Sequence, residues 1–163
     1  MAETLTGNLQ VSLSSRLANT AGVAATSAAI QDVTLKQFTT GTAANQANAQ
    51  YSASGTIAAS ATPVDIVLTM LTDPFGAVLA FTKVRALIIR NTHATATITV
   101  GGAPSANFPL FTDPSDSLPI APGGIFVYSD FAAGKTVTGI ASVLRLASSA
   151  NGGTYELIVI GTK

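Results

Sequence analysis

The stretch that most limits the fold runs from Thr82 to Gly102, TKVRALIIRNTHATATITVGG. On either side of Asn91–Ala94, apolar residues alternate with small or polar ones at a period of two. That is the pattern of strands with one face toward a core. Read as two strands joined by a tight connection, Arg90 pairs with Thr95. Leu87 then faces Ile98, Ile89 faces Ala96 and Arg85 lies beside Val100. Ile88 and Ala86 lie on the other face, beside Thr97 and Thr99. The expectation is a central antiparallel hairpin with one apolar face.

The same phrasing recurs along the chain. Thr4–Leu13 alternates weakly and reads as a first strand or an extended arm. Ser14–Ala29, rich in Ala, Ser and Thr, reads as irregular, because Gly22 and its hydroxyl and β-branched residues disfavour a helix. Val33, Leu35 and Phe38 mark a short strand, and Thr39–Gln50 has little to bury and reads as a loop or link. Tyr51–Ser60 is an edge-strand candidate. Val64–Leu71 is a stronger strand, and Asp73-Pro74-Phe75-Gly76 has the residue order of a β-turn. Five of the seven prolines fall between Ala103 and Pro122, so that stretch holds at most a short edge strand. Pro122-Gly123-Gly124 turns the chain into Ile125–Ser129, and Thr136–Ile140 is a weaker strand. Val143–Ala147 and Tyr155–Ile160 flank a glycine-bearing loop. Read as a hairpin, they set Arg145 opposite Glu156 as an ion pair.

About eight or nine short strands with regular turn signals and no convincing helix point to an all-β, antiparallel β-sandwich. A jelly roll is the preferred topology. Residues 1–50 are expected to form an extended N-terminal arm and residues 51–163 the sandwich domain.

Composition then restricts function. Of 163 residues only 10% are charged, and the formal net charge is zero. A nucleic-acid partner would call for a basic excess. There are no cysteines, so no disulfide or thiolate site is expected. MAETLTGNLQ does not read as a secretory signal. No apolar run approaches about 18 residues, so no transmembrane helix is expected. A monomer this weakly charged lacks colloidal repulsion, which favours a surface covered by copies of itself or by a partner.

No residue set reads as catalytic or metal-binding. His93 stands in the loop of the expected hairpin with no carboxylate near it in sequence, and reads as an exposed loop residue. Asp113 and Asp116 in TDPSDS read as a turn capped by its own side chains. The pairs Gly101-Gly102, Gly123-Gly124 and Gly152-Gly153 lack the Lys-Ser/Thr of a phosphate loop and read as turns. Arg85, Arg90 and Arg145 lie within strands, where salt bridges to Asp or Glu are the plain reading. Phe108 and Phe111, in the proline-rich stretch, are available to the core or as anchors for a partner. Ile88 and Ala86, on the second face of their strand, are the other candidate contact residues.

The combination LTDPFGAVLAFTKVRALIIRNT, TITVGG, APGGIFVYSD and TYELIVIG, with GTAANQANAQYSASGTIAAS before it, resembles small virion proteins of tailed bacteriophages. The likeness lies in strand and turn phrasing between Thr39 and Gly161. It implies a β-sandwich on the capsid surface, a decoration or cement protein that binds the major capsid protein and stabilises the phage head. It further implies a homotrimer assembled in the host cytoplasm, with no enzymatic activity, no cofactor, no nucleic acid and no membrane. The alternative is a receptor- or carbohydrate-binding module of a tail or fibre. That reading requires the loops around His93, Phe108–Phe111 and Ser148–Gly153 to meet at one end of the sandwich.

Overall fold

The computed structural model describes residues 5–17, 27–59, 62–73, 75–148 and 152–163, with the backbone alone for 8–17 and 27–37. These residues contain strands and no helix. In chain order they are β1 (Gly7–Leu17), β2 (Ser27–Thr40), β3 (Gln46–Ala47), β4 (Ala49–Ile57), β5 (Val64–Val67), β6 (Leu71–Thr72) and β7 (Val78–Leu79). There follow β8 (Lys83–Asn91), β9 (Ile98–Gly101), β10 (Ser117–Ile120), β11 (Ile125–Ser129), β12 (Lys135–Thr136), β13 (Val143–Ser148) and β14 (Gly153–Thr162). A five-stranded and a four-stranded antiparallel sheet make the sandwich. The first has the order β11-β8-β14-β4, with β12 also on β8; the second has the order β10-β9-β13-β5.

The apolar alternation is real, but its pairing is not the one expected. β8 and β9 belong to different sheets. β8 pairs with β14 and β11, whereas β9 pairs with β10 and β13. Leu87 and Ile89 therefore meet Ile98 and Val100 across the core rather than along a hairpin. The connection between them is an arch. Asn91, fully buried, donates from Nδ2 to the carbonyls of Ala96 (2.7 Å) and Ile120 (2.9 Å). Its Oδ1 accepts from the His93 amide at 3.0 Å. His93 Nδ1 in turn accepts from the amides of Ala96 (2.8 Å) and Thr95 (3.2 Å). The histidine is thus partly buried and braces a corner, where an exposed loop residue was expected.

The same correction applies to the last two strands. β13 lies in the second sheet and β14 in the first, so Arg145 and Glu156 do not pair. Arg145 makes two bonds to Asp65 on β5, at 2.7 and 2.6 Å. Glu156 faces Arg90 on β8 at 3.4 Å. Asn151, assigned to the loop between these strands, lies outside the described residues.

Several local expectations hold. β4 is an edge strand, β11 spans Ile125–Ser129, and Pro119 sits in edge strand β10, where its missing N–H does no harm. Asp73 Oδ1 accepts from the amides of Phe75 and Ala77, closing the turn between β6 and β7; Pro74 of that turn lies outside the described residues. Asp113 takes the amide and hydroxyl of Ser115, and this holds its carboxyl below the usual range. The second strand of the N-terminal part is longer than expected. β2 begins at Ser27 and pairs along its length with β1, so part of Ser14–Ala29 is strand; residues 18–26 lie outside the described set.

One core fills the space between the sheets. Ile57, Val84, Leu87, Ile89, Leu157 and Val159 of the first sheet meet Ile66, Ile98, Val100, Leu144 and Leu146 of the second. Each such side chain is worth about 1.5–3 kcal/mol when fully buried.

Asn91→Ala leaves two buried carbonyls without their donor. It should lower the unfolding free energy by about 2–3 kcal/mol in urea titrations. Thr92→Ala, at its exposed neighbour, should change it by less than about 1 kcal/mol.

Candidate interaction surfaces

Because sheets expose alternate residues, the outer faces can be read from the register. On the second sheet, Arg145 lies opposite Asp65, Ala147 opposite Thr99, and Thr99 opposite Pro119. This face is small, polar and closed by an ion pair. The Arg145 hydrogen bond, assisted by its charge, holds the Asp65 carboxyl below its ordinary 3.8.

The first sheet differs. Val127, Ile88 and Ile158 form one row across β11, β8 and β14, all partly buried. Ile125 begins β11 on the same face and is 60% exposed. In the next row Ala86 and Ile160 are buried beneath Phe38, Ala47 and Phe131, with Leu5 packed against them. Phe38 and Phe131 stack at 5.3 Å. The N-terminal part of the chain therefore forms a second, smaller core on the outside of this sheet.

Arg85 fastens that cover. The pairing of β8 with β14 slips between Ile160 and Gly161, leaving Arg85 without a partner residue across the strand. A bulge of this kind can redirect a side chain, and the slip requires glycine, since a Cβ at Gly161 would collide with the Lys83 carbonyl. The guanidinium is 1% exposed and donates to the carbonyls of Phe131 (2.9 Å) and Ala132 (2.8 Å). It also reaches those of Thr42 (3.3 Å) and Ala43 (3.1 Å). Among the described residues it makes no salt bridge to Asp or Glu, contrary to the sequence expectation. The planar fork suits this role, because its two ends serve two chain segments at once.

The candidate contact residues divide accordingly. Ile88 lies on the apolar outer row. Ala86 lies under the N-terminal cover and is already buried within the chain. Phe108 is 2% exposed in the main core, so it is not available to a partner. Phe111 is partly buried against the core and lies 6.4 Å from Phe126. A further apolar group was not singled out from the sequence: Met70, Phe75, Val78 and Ile140 are all at least three-quarters exposed. They lie on the segments 68–82 and 130–142, which are hydrogen-bonded to each other through Leu68 and Ser142. The length of the turn segment between β5 and β8 was the available signal.

The loops sort into two ends. The arch at His93 meets the Gly123-Gly124 turn, with Asn91 bonded to both glycines, and Thr92 meets Thr154 beside the 148–153 connection. Phe108 is bonded to Val143, at the start of β13 and the opposite end of the sandwich. The three loops thought able to form one binding site do not converge. Among the described residues, no group of three or more His, Asp or Glu side chains is placed to hold a metal ion. No protein-family model, curated protein or solved structure matches this chain.

Arg85→Met should expose the 38–47 segment to limited proteolysis and lower stability by about 2–4 kcal/mol. Arg85→Lys should not restore protection, since one ammonium cannot serve both segments. Asp65 yields an acid-pH test. Its folded value is depressed, so its contribution is present above the unfolded value and is lost as pH falls through the folded one. Arg145→Gln should therefore flatten the loss of stability below about pH 4, with an effect under about 1 kcal/mol at pH 7 for this half-exposed pair.

Proposed function

We propose that this chain is a structural, non-enzymatic component of a tailed-phage virion, a capsid decoration or cement protein bound to the major capsid protein. The observation that carries the reading is the contrast between the two outer faces. One is polar and closed by Arg145–Asp65; the other presents Ile125, Val127, Ile88 and Ile158 and is only partly covered by the chain's own N-terminal part. A protein whose task is contact needs such a face and little charge. The proposal includes self-association around a symmetry axis as a homotrimer, which would cover this second face.

The jelly-roll reading is supported by strand order. The first sheet runs β4-β14-β8-β11 and the second β5-β13-β9-β10, and β4→β5, β8→β9, β10→β11 and β13→β14 all cross between sheets. Double-sheet jelly rolls occur in capsid proteins and also in lectins and cupins, so the topology is compatible with the proposal and does not by itself select it. A receptor- or carbohydrate-binding role draws less support, because Phe108 is buried, His93 Nδ1 is taken by two backbone amides, and their loops stand at opposite ends.

Particles assembled without this gene should lack a layer of outer density in electron cryomicroscopy and should lose DNA at lower temperature or lower salt. Adding the purified protein should restore both. Particles unchanged in density and heat resistance would overturn the proposal.

A further inference from the structure

The sandwich has four sheet edges, and three of them are blunted against further pairing. β5 is four residues long and carries Asp65. β10 is four residues long and contains Pro119. β11 is five residues long, and β12 follows it along the same side of β8. β4 is different. It is nine residues long, AQYSASGTI, with no charge and no proline. Its outward residues Gln50, Ser52, Ser54 and Thr56 are all exposed. On the side away from β14 it has no strand partner among the described residues, so half of its backbone amides and carbonyls point outward.

A second edge is equally open. β1 lies at the end of the sheet β1-β2-β3 and is eleven residues long, with Arg16 its sole charged residue. β1 and β2 pair with each other, and β2 pairs with the two residues of β3; neither pairs with a strand of the sandwich. An isolated two-stranded ribbon is marginal in water and gains stability when a third strand joins it. The ribbon and β4 thus each lack a neighbour, match in length to within two residues, and meet no charge barrier.

We propose that β4 is a strand-addition site and that its occupant is the β1–β2 hairpin of a second copy of this chain, with β1 joining β4. Within one chain the two do not pair, and β3, directly before β4, fixes the base of the hairpin beside β14. The contact is head to tail, so repeating it closes a ring or continues as a filament. Main-chain hydrogen bonds would supply the attachment, as in other strand additions. Each hairpin would also be carried toward the neighbour's outer sheet face, where Ile158 and Ile88 remain partly open. This inference rests on the two edges alone. It is read on the purified chain, so it can fail while the virion proposal stands, and the reverse.

The chain has no cysteine, so introduced ones report cleanly. Full-length copies carrying Ser12→Cys, Ser14→Cys or Ser15→Cys on β1, under one affinity tag, are mixed with copies carrying Ser52→Cys, Ser54→Cys or Thr56→Cys on β4, under another. Mild oxidation should give disulfides joining the two tagged species for at least one combination. Separately, Ser52→Lys with Ser54→Lys places charge on the exposed face of β4. Its mass by light scattering should shift from oligomer to monomer while its thermal unfolding stays close to that of the wild type. Cross-links only between two β4 cysteines would overturn the proposal in favour of edge-to-edge pairing of β4. A monomeric wild type, or a double-lysine variant that stays oligomeric, would overturn it as well.

Discussion

Asn91 holds the corner on which the sandwich turns. Its amide nitrogen serves a carbonyl on the approach to β9 and another at the end of β10, while its oxygen takes the His93 amide. Its own backbone pairs with Gly123 and Gly124. One fully buried side chain therefore ties together the exit from β8, the entry to β9 and the turn between β10 and β11. Only an amide has both donors and an acceptor for this set; a carboxylate would set oxygen against two carbonyls. With the corner held, the inner faces of the two sheets stay opposed and the main core closes between them.

This corner also explains where sequence reasoning succeeded and where it failed. Alternation reports which residues share a face, and Leu87, Ile89, Ile98 and Val100 do all point into one core. It does not report whether two successive strands lie side by side in one sheet or oppose each other across a core. Both arrangements need the same parity of apolar residues. The fold class, the edge position of β4 and the turns at Asp73 and Asp113 were legible because each depends on local chemistry. The partners of Arg145 and Glu156 were not, because the assumption of a hairpin put two strands of different sheets in register. The segment Thr92–Thr97 lacks the Asn-Gly or Asp-Gly pair of a two-residue hairpin, and that was the available warning.

The outer surface was legible only in sum. Low charge and excess apolar strand residues indicate more greasy face than one core can use, and a second small core is present on the first sheet. Its position depends on Arg85. Sequence places an arginine in a strand, where a carboxylate partner is the ordinary expectation. The slip in pairing beside Gly161 gives it backbone carbonyls from two distant loops instead. A bulge is invisible to alternation over so short a stretch, and the carbonyl partners have no side-chain signature.

The cover held by Arg85 has a definite limit, and the limit sets what the rest of the face can do. Phe38, Ala47, Phe131 and Leu5 reach the row of Ala86 and Ile160, and Val127, Ile88 and Ile158 in the next row remain partly open. Sealing each of these would contribute up to about 1.5–3 kcal/mol less what is already buried. The opposite face holds no comparable gain, since Arg145 and Asp65 bond to each other and the neighbouring Thr99 is polar and partly exposed. With a formal net charge of zero, long-range repulsion adds little barrier to the approach of a second chain. Association is therefore favoured on one side of the sandwich, and the uncharged length of β4 lies along that same sheet. In the assembly proposed above, apolar contact would set the strength, while backbone pairing along an edge would set direction and register.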